Sequence, residues 1–367
     1  METMVATRFV QGLGGGAVTS QGYALMASLY PERLRSRILA FTSTTWGVAT
    51  AVGPGWGGIF AEFGLWREAF WSMAPFSIVF AWLAFRMIPT SEAHRRLSRI
   101  PYWRLAMIGG SVLALSASSQ VDAIWLRVVL VMLSIALAVA TFRRDSRAER
   151  PMFPKQALRI GSEIGALCWM MALMSAVVAI YSTFQTFQLQ VLHGVSPIVA
   201  AYIFMLSSFT WSCTSIAVAP LKGRAETLAM FAGFVTLIIG TALQAYFVTS
   251  GPWWAIAAGI SISGGGIGMM TNLLIQRTIR VAGDAEKAIA GSSVQAIRTL
   301  GVAFGSAAAG VIAVGAGMSA DTVSRDVVAH AMHWVYVFDA GVAVVILCIG
   351  LWMVMLARRA QAPRTAS

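Results

Sequence analysis

Long apolar stretches, separated by short connectors, dominate the pattern of this chain. A helix that crosses a bilayer needs about 20 predominantly apolar residues, and each stretch is close to that length. The fourth stretch is the least apolar, because it ends in the polar run Ser116–Gln120. The pattern predicts an all-α integral membrane protein with eleven spans, at residues 5–29, 38–61, 67–88, 104–121, 122–142, 161–191, 197–220, 227–249, 252–276, 288–316 and 331–357.

Two connectors, 89–104 and 143–159, are longer than the others and rich in charge. They bracket the fourth and fifth predicted spans. We therefore interpret residues 89–159 as a two-helix insert with basic loops. The insert separates a three-helix block at 1–88 from a six-helix block with a short tail at 160–367.

Composition narrows the class of protein. Hydrophobic residues make up 57% of the chain and charged residues 11%, whereas soluble domains carry about 25% charged residues. These values exclude a water-soluble enzyme and a disordered chain. The sequence holds no HExxH motif, no carboxylate pair within a span and no cysteine cluster, so we expect no enzymatic activity, metal or cofactor.

The net charge of +12 raises the question of a nucleic-acid partner, but the placement of the charge indicates membrane topology. Most of the 27 lysine and arginine residues lie in the odd-numbered connectors and the C-terminal tail. Cytoplasmic loops are enriched in these residues, so we predict a multi-pass inner-membrane protein with a cytoplasmic C-terminus and residue 1 outside. An outer start is unusual, and we expect an odd number of further helices before Met1 in a longer ancestral chain.

Three segments near the N-terminus carry recognisable motifs. The first is RFVQGLGGG at 8–16, in which Arg8 and Gln11 share one helical face. The second is WGVATAVGPGWGG at 46–58, and the third is WREAFWSMAP at 66–75. Arginine within a span is costly, so Arg8 either belongs to a functional pathway or reaches the interface with its head group.

Together these segments resemble the major facilitator superfamily. R-x-x-Q-G-x-G at 8–14 is similar to the fourth-helix motif of that family, GPxxGG at 53–58 to its fifth-helix antiporter motif, and WRxxF at 66–70 to its sixth-helix entry. Downstream, LQVLHGVSPIVAAY at 189–202 and SSVQAIRTLGVAFG at 292–305 resemble fourteen-helix drug:proton antiporters. The resemblance implies that the insert matches that family's two extra helices and that its first three helices are absent here.

The resemblance further implies a secondary active transporter that exports small hydrophobic or cationic compounds by alternating access, coupled to protons. Its partners would be the small-molecule substrate, protons and the lipid bilayer, with no nucleic acid; we expect a monomer, with periplasmic adaptor proteins as further candidates. The alternative is a truncated or degenerate fragment of a transporter that lacks transport activity.

Candidate site residues are polar or small residues within spans, where polar groups face protein or water rather than lipid. Arg298 is a cavity residue or a structural pair, and Asp339 is a coupling acid or a partner of His333. Glutamines and asparagine would orient a substrate. The full set is Arg8, Gln11, Arg298 and Asp339 for transport and coupling; Gly53, Pro54, Gly57 and Gly58 for the antiporter motif; and Gln185, Gln188, Asn272 and Gln295 for the substrate cavity.

Overall fold

A computed structural model describes most of the chain: residues 2–29, 45, 48–49, 52–53, 55–87, 101–121, 123–149, 151–282, 287–318 and 324–361. Its regular structure across these residues is entirely α-helical, as the sequence predicts. The chain divides into two compact units, residues 1–52 and 53–367. The first unit contains helix α1 (Glu2–Leu29), which covers the first predicted span.

The second unit begins with helical residues 55–62 and continues as a series of helices. From residue 104 onward, each predicted apolar stretch coincides with one helix. The helices are α2 (Trp66–Trp71), α3 (Ala74–Met87), α4 (Tyr102–Ser118), α5 (Ile124–Asp145), α6 (Glu163–His193), α7 (Pro197–Val218), α8 (Arg224–Phe247), α9 (Trp253–Val281), α10 (Lys287–Gly315) and α11 (Arg325–Gln361).

Among the described residues, eight helical segments are long and apolar enough to cross a membrane, with α2 and α3 forming one of them. Helix α4 is shorter, at 17 residues, because it ends at Ser118 within the polar run that weakened this span in the sequence. The count of eleven spans therefore stays a prediction, whereas the all-helical, multi-pass character is confirmed.

The core of the second unit lies around α6, which packs against α10 and α11 and also contacts α7 and α9. Helix α9 packs against α7 and α8, and α11 packs against α8. The fully buried side chains that fill these interfaces include Leu167, Met170, Met171, Met174 and Phe234. The hairpin of α4 and α5 packs onto this bundle through α4 and α10.

Glycines, including the triple glycine at 264–266, allow these helices to approach closely. A Cβ atom at Gly264 would lie 2.3 Å from the Ser207 carbonyl oxygen, and one at Gly266 would lie 2.7 Å from the Leu237 nitrogen. Gly301 lies equally close to the Ala172 carbonyl oxygen, at 2.1 Å. Within lipid, the hydrophobic effect does not drive helices to associate. Close packing at small residues stabilises their association instead.

Hydroxyl groups join α7 to α9 across the same interface. Thr210 donates to the Ser261 carbonyl oxygen at 2.8 Å, and Thr214 donates to the Gly265 carbonyl oxygen at 2.9 Å. The face of α9 that carries Ser261 and Gly265 therefore lies against α7.

Among the described residues, three ion pairs join the ends of neighbouring helices. Arg277 of α9 lies 2.7 Å from Glu163 at the start of α6, and Arg280 lies 2.5 Å from Glu226 of α8. Arg104 of α4 pairs with Asp145 at the end of α5. The charges thus meet where the helices end.

Adjacent glycines of α9 offer a matched test of this packing. We expect Gly266→Ala to lower the thermal unfolding midpoint of the purified protein, because the new methyl group forces α8 away at a cost of about 1–3 kcal/mol. Gly265→Ala is the control, since its Cβ would lie 3.6 Å from the Thr214 methyl group, an ordinary contact. Equal midpoints for the two variants would contradict the packing described here.

Candidate functional site

The carboxyl group of Asp339 lies deep within the second unit. Asp339 is fully buried on α11, about 21 Å along the helix from Arg325 and close to the middle of the apolar segment Arg325–Met355. Its neighbours at helical spacing, Val335 and Ala343, are fully buried as well. The apolar face of α11 therefore carries the carboxyl group into the core.

Two tyrosines accompany this carboxyl group. Helices α6 and α11 run antiparallel, since the Arg325 guanidinium donates to the Leu192 carbonyl oxygen at 3.0 Å. This register brings Tyr181 of α6 and Tyr336 of α11 within electrostatic range of Asp339 and of each other. Both phenol rings are buried, and the Tyr181 hydroxyl lies 3.5 Å from Ser207 Oγ of α7.

Two glutamines extend the polar face of α6 beyond Tyr181. Gln185 and Gln188 follow it by one and two helical turns and are both fully buried. Within the part of the chain that the structure describes, neither amide group has a hydrogen-bond partner. We call these residues the buried polar cluster: Tyr181, Gln185, Gln188, Tyr336 and Asp339.

The carboxyl group of Asp339 lacks a compensating partner. Among the described residues, neither of its oxygens accepts a hydrogen bond, and it forms no ion pair. The expected pairing with His333 is therefore wrong, because two residues that are six positions apart on a helix lie on different faces. The His333 ring instead lies 5.8 Å from that of Trp334.

The remaining candidates lie elsewhere. In the first unit, Arg8 is exposed and donates to Gln11 Oε1 at 2.8 Å, so these two predicted residues are brought together. Asn272 donates to Ser215 Oγ at 2.6 Å, which places it between α9 and α7. Gln295 and Arg298 are half-buried on α10. A cavity role for these residues stays a prediction.

The glycines of the antiporter motif differ in burial and in how closely other helices approach them. Gly53 and Gly57 are exposed, and a Cβ atom added at either would have no neighbour within 4 Å; Pro54 lies outside the described residues. Gly58 is buried: its Cβ would lie 2.9 Å from the Ala201 Cβ and 3.1 Å from the Ile198 Cα. This glycine therefore lets helical residues 55–62 pack closely on α7.

The chemistry available to the buried polar cluster is that of protons and hydrogen bonds. One carboxyl group, two phenols and two amides lie in an apolar surrounding, where each unpartnered polar group is costly. The described residues contain no group of three or more histidine, cysteine or acidic side chains suited to a metal ion. Sequence reasoning missed Tyr336, although its position three residues before Asp339 on one helical face was available as a signal.

Replacing an unpartnered amide by an apolar side chain tests the burial of the cluster. We expect Gln185→Leu to raise the thermal unfolding midpoint, because an unsatisfied buried amide costs roughly 1–3 kcal/mol. Gln190→Leu, at a half-buried glutamine of the same helix, is the control and should change the midpoint less. A lower midpoint for Gln185→Leu would show that its amide has partners in the native state.

Comparison with known proteins identifies the family. The chain is 29% identical over 335 residues to a protein of Mycobacterium tuberculosis named as a probable multidrug-efflux transporter, covering 85% of this chain and 69% of that protein. It is 24% identical over 362 residues to a methylenomycin A resistance protein of Streptomyces coelicolor, covering 95% of this chain and 70% of that protein. The structure is distantly similar to that of a bacterial homologue of the human lysosomal transporter Spinster, with a TM-score of 0.49 and 15% sequence identity. The similarity covers 91% of this chain and 72% of the other. The family profile described as Major Facilitator Superfamily matches residues 1–306, so the chain belongs to this superfamily of membrane transporters.

Proposed function

We propose that this chain is a secondary active transporter that exports small hydrophobic or cationic compounds in exchange for protons, by alternating access. Family membership supplies the transporter class. The names of two relatives, multidrug efflux and antibiotic resistance, support export of small compounds. The resemblance of GPxxGG at 53–58 to an antiporter motif supports the direction of transport.

The observation that carries the proton coupling is the burial of Asp339 with no cation paired to it among the described residues. An ionised carboxylate at the middle of a span, with no ion pair and no hydrogen bond from another described residue, is costly. Binding a proton removes the charge and lets the carboxyl group stay buried. Exposure to water removes the need for the proton. A change of conformation that alternately buries and wets Asp339 would therefore bind and release a proton.

The rest of the buried polar cluster assists this exchange. The Tyr181 and Tyr336 hydroxyl groups can each donate to the carboxylate or accept from the carboxyl group. Gln185 and Gln188 continue the polar path along α6 towards His193, at the end of the helix. Because Arg325 joins α11 to the Leu192 carbonyl oxygen at that end, opening this contact would bring water towards Asp339.

The arrangement in the membrane follows from the basic connectors. We propose an inner-membrane protein of the fourteen-helix antiporter type, with its C-terminus in the cytoplasm and residue 1 outside, because the positive charge concentrates on one side. The boundaries at 88 and 159 remain our proposal for the two transporter halves and the insert. A monomer, working alone or with periplasmic adaptor proteins, completes the proposal.

Dye efflux from intact cells tests the export function. Cells that express the chain should expel a fluorescent cationic dye faster than cells with an empty vector, and a protonophore should abolish the difference. Arg8→Ala should lose most of the efflux, because it removes the cation that holds Gln11. Lys222→Ala, at an exposed connector residue, is the control. A chain that inserts in the membrane but expels none of a panel of dyes would contradict export and favour a fragment without transport activity.

Asp339→Asn tests the coupling separately from transport. The amide has the shape of the carboxyl group but cannot release a proton. In proteoliposomes, we expect this variant to lose dye accumulation driven by a pH gradient and to keep exchange of labelled for unlabelled dye. Asp326→Asn makes the same substitution at an exposed position of the same helix and should retain both activities.

Two outcomes would contradict the role of Asp339. Gradient-driven accumulation that persists in Asp339→Asn would place the coupling acid elsewhere. Loss of exchange together with accumulation, in a variant whose thermal unfolding midpoint is unchanged, would make Asp339 a substrate-binding rather than a coupling residue.

A further inference from the structure

A cavity of about 290 Å³ lies at the basic end of helix α5, outside the buried polar cluster. It forms where the chain leaves α5 and folds back against the helix before α6 begins. Residues of the last turns of α5 form one wall, and residues 154–159 form the other. Its lining is Val139, Phe142, Arg143, Asp145, Ser146, Pro154, Lys155, Ala157, Leu158 and Arg159.

Buried contacts hold both walls in place. The Asp145 carboxylate is buried, pairs with Arg104 and accepts from the backbone N–H groups of Met152 and Phe153, each at 2.9 Å. The Phe142 and Phe153 rings lie 4.7 Å apart between centroids. The Trp169 indole of α6 donates to the Leu158 carbonyl oxygen at 3.1 Å. These contacts fix both walls of the cavity, whereas its basic lining residues Arg143, Lys155 and Arg159 are exposed.

The charge of the lining favours an anion. Arg143, Lys155 and Arg159 contribute positive charges, and none of these side chains forms an ion pair or hydrogen bond with another described residue. The one acidic lining residue, Asp145, is already neutralised by Arg104. An anion in the cavity would thus meet three uncompensated cations.

An apolar groove continues from the cavity along α5. A second cavity, of about 400 Å³, is lined by Ala136, Val139, Ala140, Arg143 and Arg144 and shares Val139 and Arg143 with the first. From Arg143 to Ala136 the groove extends about 10 Å along the helix. Because α5 is among the most apolar of the candidate spans, we expect this stretch to lie at the depth of lipid tails.

We propose that these two cavities form one binding site for an anionic phospholipid. The phosphate would bind among Arg143, Lys155 and Arg159, and an acyl chain would lie against Ala136, Val139 and Ala140. Basic pockets between membrane helices suit lipid head groups, whereas free phosphate would leave the adjoining apolar groove unused. The site requires neither the proposed transport activity nor a particular orientation in the membrane.

Lipid binding to the purified chain tests this site directly. The probes are phosphatidylglycerol and phosphatidylcholine of identical acyl chains, added to the detergent-solubilised protein and counted as bound adducts by native mass spectrometry. We expect phosphatidylglycerol to bind more tightly. The double variant Arg143→Gln and Arg159→Gln should weaken its binding about thirtyfold, since each of the two cations near a head group contributes about 1 kcal/mol.

The control double variant, Lys222→Gln and Arg224→Gln, removes the same charge from exposed residues of another connector. It should retain the lipid. Equal loss in both double variants would overturn the site in favour of diffuse surface charge, and equal binding of the two lipids would overturn its charge selectivity.

A third variant distinguishes a lipid from a free phosphate. Ala140→Leu narrows the groove and leaves the cations in place, so it should weaken phosphatidylglycerol binding. Excess glycerol phosphate should not displace the lipid. If Ala140→Leu binds the lipid unchanged and glycerol phosphate displaces it, the site is one for soluble phosphates and the proposal is wrong.

Discussion

The interior of a bilayer offers polar groups no water, and this constraint shapes the whole structure. The backbone meets it by forming helices, each of which satisfies its own N–H and C=O groups. Most hydroxyl side chains meet it by donating to carbonyl oxygens, as Thr210 and Thr214 do across the interface of α7 and α9. Glycines such as Gly264 and Gly266 bring the helices close enough for those contacts.

Because most polar groups within the bundle have partners, a buried polar group without one requires an explanation. The ion pairs Arg277–Glu163, Arg280–Glu226 and Arg104–Asp145 lie at helix ends, where they connect neighbouring segments. Asp339 lies at the middle of a span and has no such partner among the described residues. A stable structure gains nothing from this arrangement, because an apolar residue of similar size would pack there at lower cost. The proton exchange proposed above would account for a carboxyl group at this position.

The sequence predicted the helices from residue 104 onward because a span requires an uninterrupted apolar length, which hydropathy alone reveals. It also predicted Asp339, Gln185 and Gln188 as candidates, since polar residues in such stretches are rare. It could not predict that Tyr181 and Tyr336 lie within electrostatic range of Asp339. Helical periodicity shows which residues share a face, but not which other helix that face meets.

Because helical periodicity does not show which helices meet, the sequence wrongly paired His333 with Asp339 and did not reveal the cavity at the end of α5. His333 appeared near Asp339 in the sequence, yet it lies on another face of α11, against Trp334. The basic connector at 143–159 indicated membrane topology in the sequence, but only the folded chain shows that Arg143 and Arg159 border one cavity. That cavity depends on the buried contacts of Asp145, which join residues from three separate segments.

Proton release on substrate binding would test the coupling role of Asp339 most directly. The purified chain, in weakly buffered detergent solution with a pH indicator, would be mixed with a dye that it exports. We predict that dye binding releases a proton from the native chain and from Asp326→Asn, and none from Asp339→Asn. Undiminished proton release from an Asp339→Asn variant that still binds the dye would contradict that role.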